Sequence, residues 1–158
     1  QLAAWHALGG RPLGMAVNLS AHQLRAPNLV AVVSATLARH SLAGNDLELE
    51  VTESVAMADP ERAIGQLQQL RALGVRLAID DFGTGYSSLA YLKLLPIQTL
   101  KLDIAFVRAI ETDENDAAIS AATLALAHSL GRSVVAEGVE TEGQRQFLRQ
   151  HHCDVLQG

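Results

Sequence analysis

A chain of 158 residues is long enough for one domain with a real core and too short for two. Hydrophobic residues make up 49% and charged residues 18%, the balance of an ordinary soluble globular protein. A net charge of −5 argues against a long nucleic-acid backbone as partner, so metal ions would have to supply positive charge for any phosphate compound.

The lone cysteine, Cys153, excludes an intrachain disulfide and reads as a small buried residue. No apolar run approaches a membrane span, and the start does not read as a signal peptide. The expected location is therefore the cytoplasm, with any membrane anchor in regions of a parent protein. The chain begins at Gln1 rather than Met and stops at Gly158 directly after an apolar run. Both ends read as cuts, and residues 1–158 as one domain truncated on both sides.

A short helical stretch opens the chain and carries Trp5, read as a packing residue. A β-like run follows at Leu13–Leu19, then a helix over Asn28–Ser41 with Gly44 close behind. Strand-like alternation returns at Leu47–Thr52. Asp59 and Pro60 read as N-cap and first residue of a helix whose stripe is Ile64, Leu67, Leu70 and Leu73, stopped by Gly74. Strands are expected at Val75–Ile79 and Thr99–Asp103, with one long helix, Asn115–Leu130, before the next strand at Ser133–Ala136. Thr141 and Gln144 form a capping box ahead of Phe147 and Leu148, and Asp154–Leu156 closes the series. The six histidines, His6, His22, His40, His128, His151 and His152, lack metal-ligand spacing and read as surface or helix-end residues.

Repeated strand–helix alternation argues for an α/β fold with a parallel sheet covered by helices. Parity within the strands chooses between an open sheet and a barrel. In Leu47-Glu48-Leu49-Glu50-Val51 the aliphatic residues share one face and the acids the other. The same holds for Arg76-Leu77-Ala78-Ile79-Asp80 and for Leu100-Lys101-Leu102-Asp103. A central strand of an open α/β sheet is apolar on both faces. One aliphatic and one charged face fit a TIM-like (β/α) barrel, with the charges turned into its mouth. Such barrels run to roughly 250 residues, so about six strand–helix units form an incomplete one.

At or just past the strand ends lie Asn18, then Glu50 and Glu53, Asp80 and Asp81, Lys101 and Asp103, Glu137 and Glu140, and Gln157. Each acid alone reads as a helix cap or a solvated group. Their joint placement on one rim, where barrel enzymes keep catalytic residues, argues for a site. Carboxylates with an amide oxygen form a hard donor set suited to Mg²⁺ or Mn²⁺ rather than zinc. Adjacent aspartates can serve two metals that activate water against a phosphodiester, with Lys101 orienting the water, helping to deprotonate it, or balancing charge. Gly83 and Gly85 would allow unusual dihedrals in a loop over the mouth.

At these residues the chain closely resembles the EAL domain family. The motifs are Asn18-Leu19-Ser20, Glu48 to Ser54, Asp80-Asp81-Phe82-Gly83-Thr84-Gly85-Tyr86-Ser87-Ser88-Leu89, Lys101-Leu102-Asp103, Val134 to Thr141, and Gln157-Gly158. Their order matches the family's, and they cover essentially the whole chain. The resemblance implies a (β/α) barrel that hydrolyses cyclic di-GMP to linear pGpG with two Mg²⁺ or Mn²⁺ ions. It implies Asn18 and Glu50 on the first metal, Asp80 bridging, Asp81 on the second, and Lys101 holding the attacking water. Glu137 and Gln157 would complete the metal and water shells, Asp103 and Glu140 would lie in the substrate and water shell, and Glu53 would anchor the Asp81–Gly85 loop. The family also implies a homodimer and attached regulatory domains in the parent.

Two departures stand out. The Glu-Ala-Leu segment that names the family, with its metal-binding glutamate, is absent from these residues, and Ile104-Ala105 stands where the family commonly has a polar pair. A catalytically inactive module that senses cyclic di-GMP is the alternative if that glutamate is replaced. A purely structural domain fits poorly, because unneutralised acids at a barrel mouth are destabilising.

Overall fold

The alternation that predicts strands becomes six short ones, all parallel and hydrogen-bonded in chain order. The computed structural model describes residues 1–8, 13–83 and 89–158. The strands are β1 (Met15–Asn18), β2 (Leu47–Thr52), β3 (Arg76–Phe82), β4 (Thr99–Leu102), β5 (Ser133–Ala136) and β6 (Val155–Leu156). The helices are α1 (Leu2–Ala7), α2 (Ala21–Leu24), α3 (Leu29–Arg39), α4 (Glu53–Ala58), α5 (Pro60–Ala72), α6 (Leu89–Leu94), α7 (Ile104–Ala109), α8 (Glu114–Ser129) and α9 (Glu142–Gln150). A parallel sheet in chain order, each strand returned by helices, is the arc of a TIM-like barrel.

Parity decides what each face meets. Leu49, Val51, Leu77, Ile79, Leu100, Leu102, Val134 and Ala136 pack into one buried cluster with Leu67, Leu70, Leu92, Leu124, Ala127 and Leu148 of the covering helices. Each such leucine contributes about 1.5–3 kcal/mol through burial. The alternate residues, Glu50, Ala78, Asp80 and Lys101, face the inside of the arc.

The caps work as the sequence indicates. Asp59 accepts from the Arg62 N–H ahead of Pro60, and Thr141 and Gln144 form a reciprocal capping box. Gly74 and Gly131 take φ of +85° and +67° behind α5 and α8, a region that costs glycine nothing.

Several expectations change. The connection from β4 to β5 holds two helices, because Asp103 caps a separate short α7 before Asp113 caps α8. Helices as short as α2, α4, α6 and α7 span too few turns to show a period. Strand β3 runs on to Phe82, well past Ile79. Trp5 is 40% exposed rather than packed away. Cys153 is only half-buried, yet burial still raises its thiol pKa.

Asp154 ties β6 to its neighbours, accepting from the Val134 N–H at 2.8 Å and pairing with His128 at 3.0 Å. Burial works to raise its pKa, but the hydrogen bonds from His128 and Val134 and the His128 charge outweigh it, so the value is lowered. A lowered carboxyl stabilises the fold fully above the usual aspartate value of about 3.9 and loses that contribution as pH falls through its folded value. Asp154→Ala should therefore lower Tm at pH 6–7, with the gap to wild type closing below about pH 4. The charge effect stays below about 1 kcal/mol, because the side chain is 41% exposed and screened. A gap that widens on acidification would contradict this.

Strands β1 and β6 each keep one edge without a partner strand among the described residues, and Val17 and Val155 there are 42% and 50% exposed. Unpaired parallel edges with exposed valines template further pairing. Residues 1–158 expressed alone should self-associate. A monodisperse monomer at about 100 µM in sedimentation velocity would contradict this.

Candidate active site

Three neighbouring strands bring their ends to Lys101 of β4. Its Nζ lies 3.1 Å from Glu50 Oε1, 3.2 Å from Asp80 Oδ1 and 2.7 Å from Glu137 Oε1. Lys101 is 8% exposed. Burial alone would lower its pKa, but hydrogen bonds to Glu137, Glu50 and Asp80 outweigh burial and hold it above the ordinary lysine value. With no metal ion on those carboxylates, Lys101 is thus held as a cation. Held by these carboxylates, the ammonium can orient water and balance charge.

Asp81 reaches the same cluster by a local device. Simple alternation would send Asp80 and Asp81 to opposite faces. Between Ile79 and Phe82 the register against β4 slips, and β3 holds one more residue than its partner. Asp81 takes φ +53°, a conformation that aspartate tolerates better than most residues, and its N–H donates to Asp80 Oδ1 at 3.1 Å. Desolvation first, then the charges of Asp80, Asp103 and Glu137 and a side-chain hydrogen bond with Asp103, raise the Asp81 pKa. Asp103, at the head of α7, uses Oδ1 to accept from the Ala105 N–H at 2.6 Å.

Glu53 opens α4 and is 2% exposed. Its Oε2 accepts from the Gly83 N–H at 2.9 Å, and its Oε1 is buried without a hydrogen-bond partner among the described residues. Thr84 and Gly85 of the expected loop lie outside those residues. Asn18 ends β1 directly opposite Glu50 in the register, and the Leu19 N–H donates to the Glu50 carbonyl at 2.7 Å. Glu140 and Gln157 are exposed at the same end of the arc. Gln144 holds the Glu140 N–H at 2.7 Å, and the Gln157 carbonyl accepts from the Val139 N–H at 2.9 Å. Their side chains make no hydrogen bond to the cluster among the described residues. The sequence reading missed two contacts of α7: Ile104 packs on Gly138 and Phe106 on Gly83.

Among the described residues no three acid, histidine or cysteine side chains form a ready-made metal cluster, and the Lys101 ammonium sits between Glu50, Asp80 and Glu137. The donor chemistry nevertheless fits a hard divalent cation. All the donors are oxygens: Glu50, Asp80 and Glu137 surround Lys101, and Asp81 lies within electrostatic reach of Asp80, Asp103 and Glu137. Desolvation first, and then the neighbouring carboxylates, hold the Asp81 pKa up.

Fold and site together define a barrel-type domain with an acidic, oxygen-lined mouth at the C-terminal ends of its strands. The chain belongs to the EAL domain family, whose model matches residues 1–158 throughout. It is 49% identical over 158 residues to the bifunctional diguanylate cyclase/cyclic di-GMP phosphodiesterase MucR of Pseudomonas aeruginosa, covering 100% of this chain and 23% of that protein. Cyclic di-GMP phosphodiesterase NbdA of the same organism is 47% identical, over 99% of this chain and 20% of its own length. The chain thus spans about a fifth of the length of the curated relatives it matches. The structure of PaMucR phosphodiesterase in complex with c-di-GMP superposes with a TM-score of 0.94 at 49% identity, covering 99% of this chain and 64% of that one. Klebsiella pneumoniae BlrP1, solved with manganese and cyclic di-GMP, gives a TM-score of 0.86 at 34% identity over 99% of this chain and 40% of its own. Among the described residues no helix is long and apolar enough to cross a membrane.

Proposed function

We propose that this chain is the greater part of the catalytic domain of a cytoplasmic phosphodiesterase that hydrolyses cyclic di-GMP to linear pGpG. The observation that carries the reading is the buried Lys101 ammonium held by Glu50, Asp80 and Glu137 at the ends of parallel strands. Similarity to c-di-GMP phosphodiesterases supports the substrate.

Asn18, Glu50 and Asp80 would hold one Mg²⁺ or Mn²⁺, and Asp80 with Asp81 a second, with Glu137 and Gln157 completing the metal and water shells. Such ions, when bound, acidify water and neutralise charge building on a leaving oxygen. Lys101 would hold the attacking water. As the water oxygen bonds to phosphorus, one P–O3′ bond breaks; one proton of that water ends on the departing 3′ oxygen, and the other stays on the new 5′-phosphate until it is released to solvent. The product carries a 5′-phosphate and a 3′-hydroxyl. Asp103 and Glu140 belong to the shell around substrate and water. Glu53 keeps Gly83, and with it Asp81, in place. The active form is a homodimer within a larger protein that carries regulatory domains.

The test is chromatography of cyclic di-GMP incubated with the intact protein and Mn²⁺. Conversion to pGpG is expected. Replacing Mn²⁺ by Ca²⁺ should suppress turnover by at least about tenfold, because calcium's longer and looser coordination at 2.3–2.6 Å mis-spaces two ions. Tight binding with no product would identify a sensor module instead.

A further inference from the structure

Short helix α7 begins at the cluster, and its first turn touches the two segments that directly follow acids of the site. Asp103 caps the helix. Ile104 lies on Gly138, directly after Glu137, so closely that a Cβ there would overlap its Cγ1 and Cδ1. Phe106 lies on Gly83, two residues after Asp81, where a Cβ would come within 2.9 Å of the ring. Both glycines have positive φ, +69° and +104°, so neither loop can substitute another residue without strain. The far end of α7 is anchored, since Val107 and Ile110 belong to the buried core.

The loops are also held from outside. The Gly83 N–H is bound by Glu53, and Val139 by the Gln157 carbonyl. Between these clamps the two α7 side chains are the spacers. Ile104 is apolar where the resemblance leads one to expect a polar residue. Packing against bare glycine backbone accounts for that choice, because an isoleucine has shape to fit there and no hydrogen bond to satisfy.

We propose that Ile104 and Phe106 are positioning residues, setting the separation between Glu137 and Asp81 through Gly138 and Gly83. The inference rests on the proposed function, its kinetic arm on the hydrolysis and its Mn²⁺ arm on Asp81 and Glu137 lying at the metal site. Misplacing a reacting group by about 1 Å can cost about 100-fold in rate.

The experiment uses the intact protein and four variants, Ile104→Ser, Phe106→Ala, Ile104→Val and Phe106→Leu. It reads kcat and KM for cyclic di-GMP, Mn²⁺ affinity from the electron spin resonance of the free ion, and Tm. Ile104→Ser and Phe106→Ala are expected to lose about 10- to 100-fold in kcat with KM moving less than about threefold. Their Mn²⁺ affinity should weaken about tenfold. Ile104→Val and Phe106→Leu, which keep most of the packing, should recover both to within about threefold of wild type. Ile104 lies outside the buried cluster, so its variants carry the test even if Phe106→Ala unfolds. Unchanged Mn²⁺ affinity and kcat in Ile104→Ser would overturn the proposal, as would an Ile104→Val as impaired as Ile104→Ser. A wild type that binds Mn²⁺ but does not cut cyclic di-GMP would overturn the hydrolase reading alone, and the Mn²⁺ titrations would still decide this one.

Discussion

Lys101→Met is expected to abolish hydrolysis of cyclic di-GMP by the intact protein, by at least about 100-fold in kcat. Methionine fills nearly the same volume, so packing is kept and only the ammonium is lost. What remains is Glu50, Asp80 and Glu137 facing a point that no longer holds a charge. Removing one partner from a buried ion pair typically costs about 3–5 kcal/mol. Here water can enter toward Glu137, whose side chain is 23% exposed, and the loss should fall at the lower end. The metal-free variant should therefore melt below wild type, and Mn²⁺ should raise its Tm more than it raises that of wild type. Differential scanning calorimetry with and without Mn²⁺, beside a turnover assay, checks both parts. Turnover within about threefold of wild type would remove Lys101 from the mechanism.

Asp80→Asn separates charge from shape more cleanly. The asparagine oxygen can still accept from the Asp81 N–H, which Asp80 Oδ1 now does at 3.1 Å, and can still approach Lys101. Stability should change by less than about 1 kcal/mol, because the lost ion pair is partly offset by relief of repulsion with Asp81. Activity should fall far more. Altering groups that merely support a metal ligand costs about 10- to 100-fold in affinity or activity, and a bridging ligand should cost at least that. Mn²⁺ titration and kcat measured together would show both losses. A variant that keeps near-normal turnover would show that Asp80 bridges nothing.

The strand faces were legible because parity is local. Leu49 and Val51 against Glu48 and Glu50, or Leu100 and Leu102 against Lys101, declare their sides within a single strand. Caps such as Asp59 and Thr141 are equally local, being completed within three residues. The rim was legible for the same reason, as a run of strand ends with polar residues. Helix α7 was not, since six residues make fewer than two turns and their apolar members pack in two directions.

Chain-local chemistry thus determined the parallel α/β alternation, the inward face, and the residues at the mouth, together with the motifs that mark the EAL family. Tertiary structure alone decided which of those residues meet. Lys101, Glu50, Asp80 and Glu137 converge because parallel register and sheet curvature bring four separate strands to one point. Asp81 joins them only because the slip against β4 turns it from the face that alternation would assign. The placement of Ile104 on Gly138 and Phe106 on Gly83 likewise depends on contacts across 34 and 23 positions of sequence, read as differences of their residue numbers. No local preference encodes such contacts. They arise when distant backbones, free of a Cβ, come close enough to be packed.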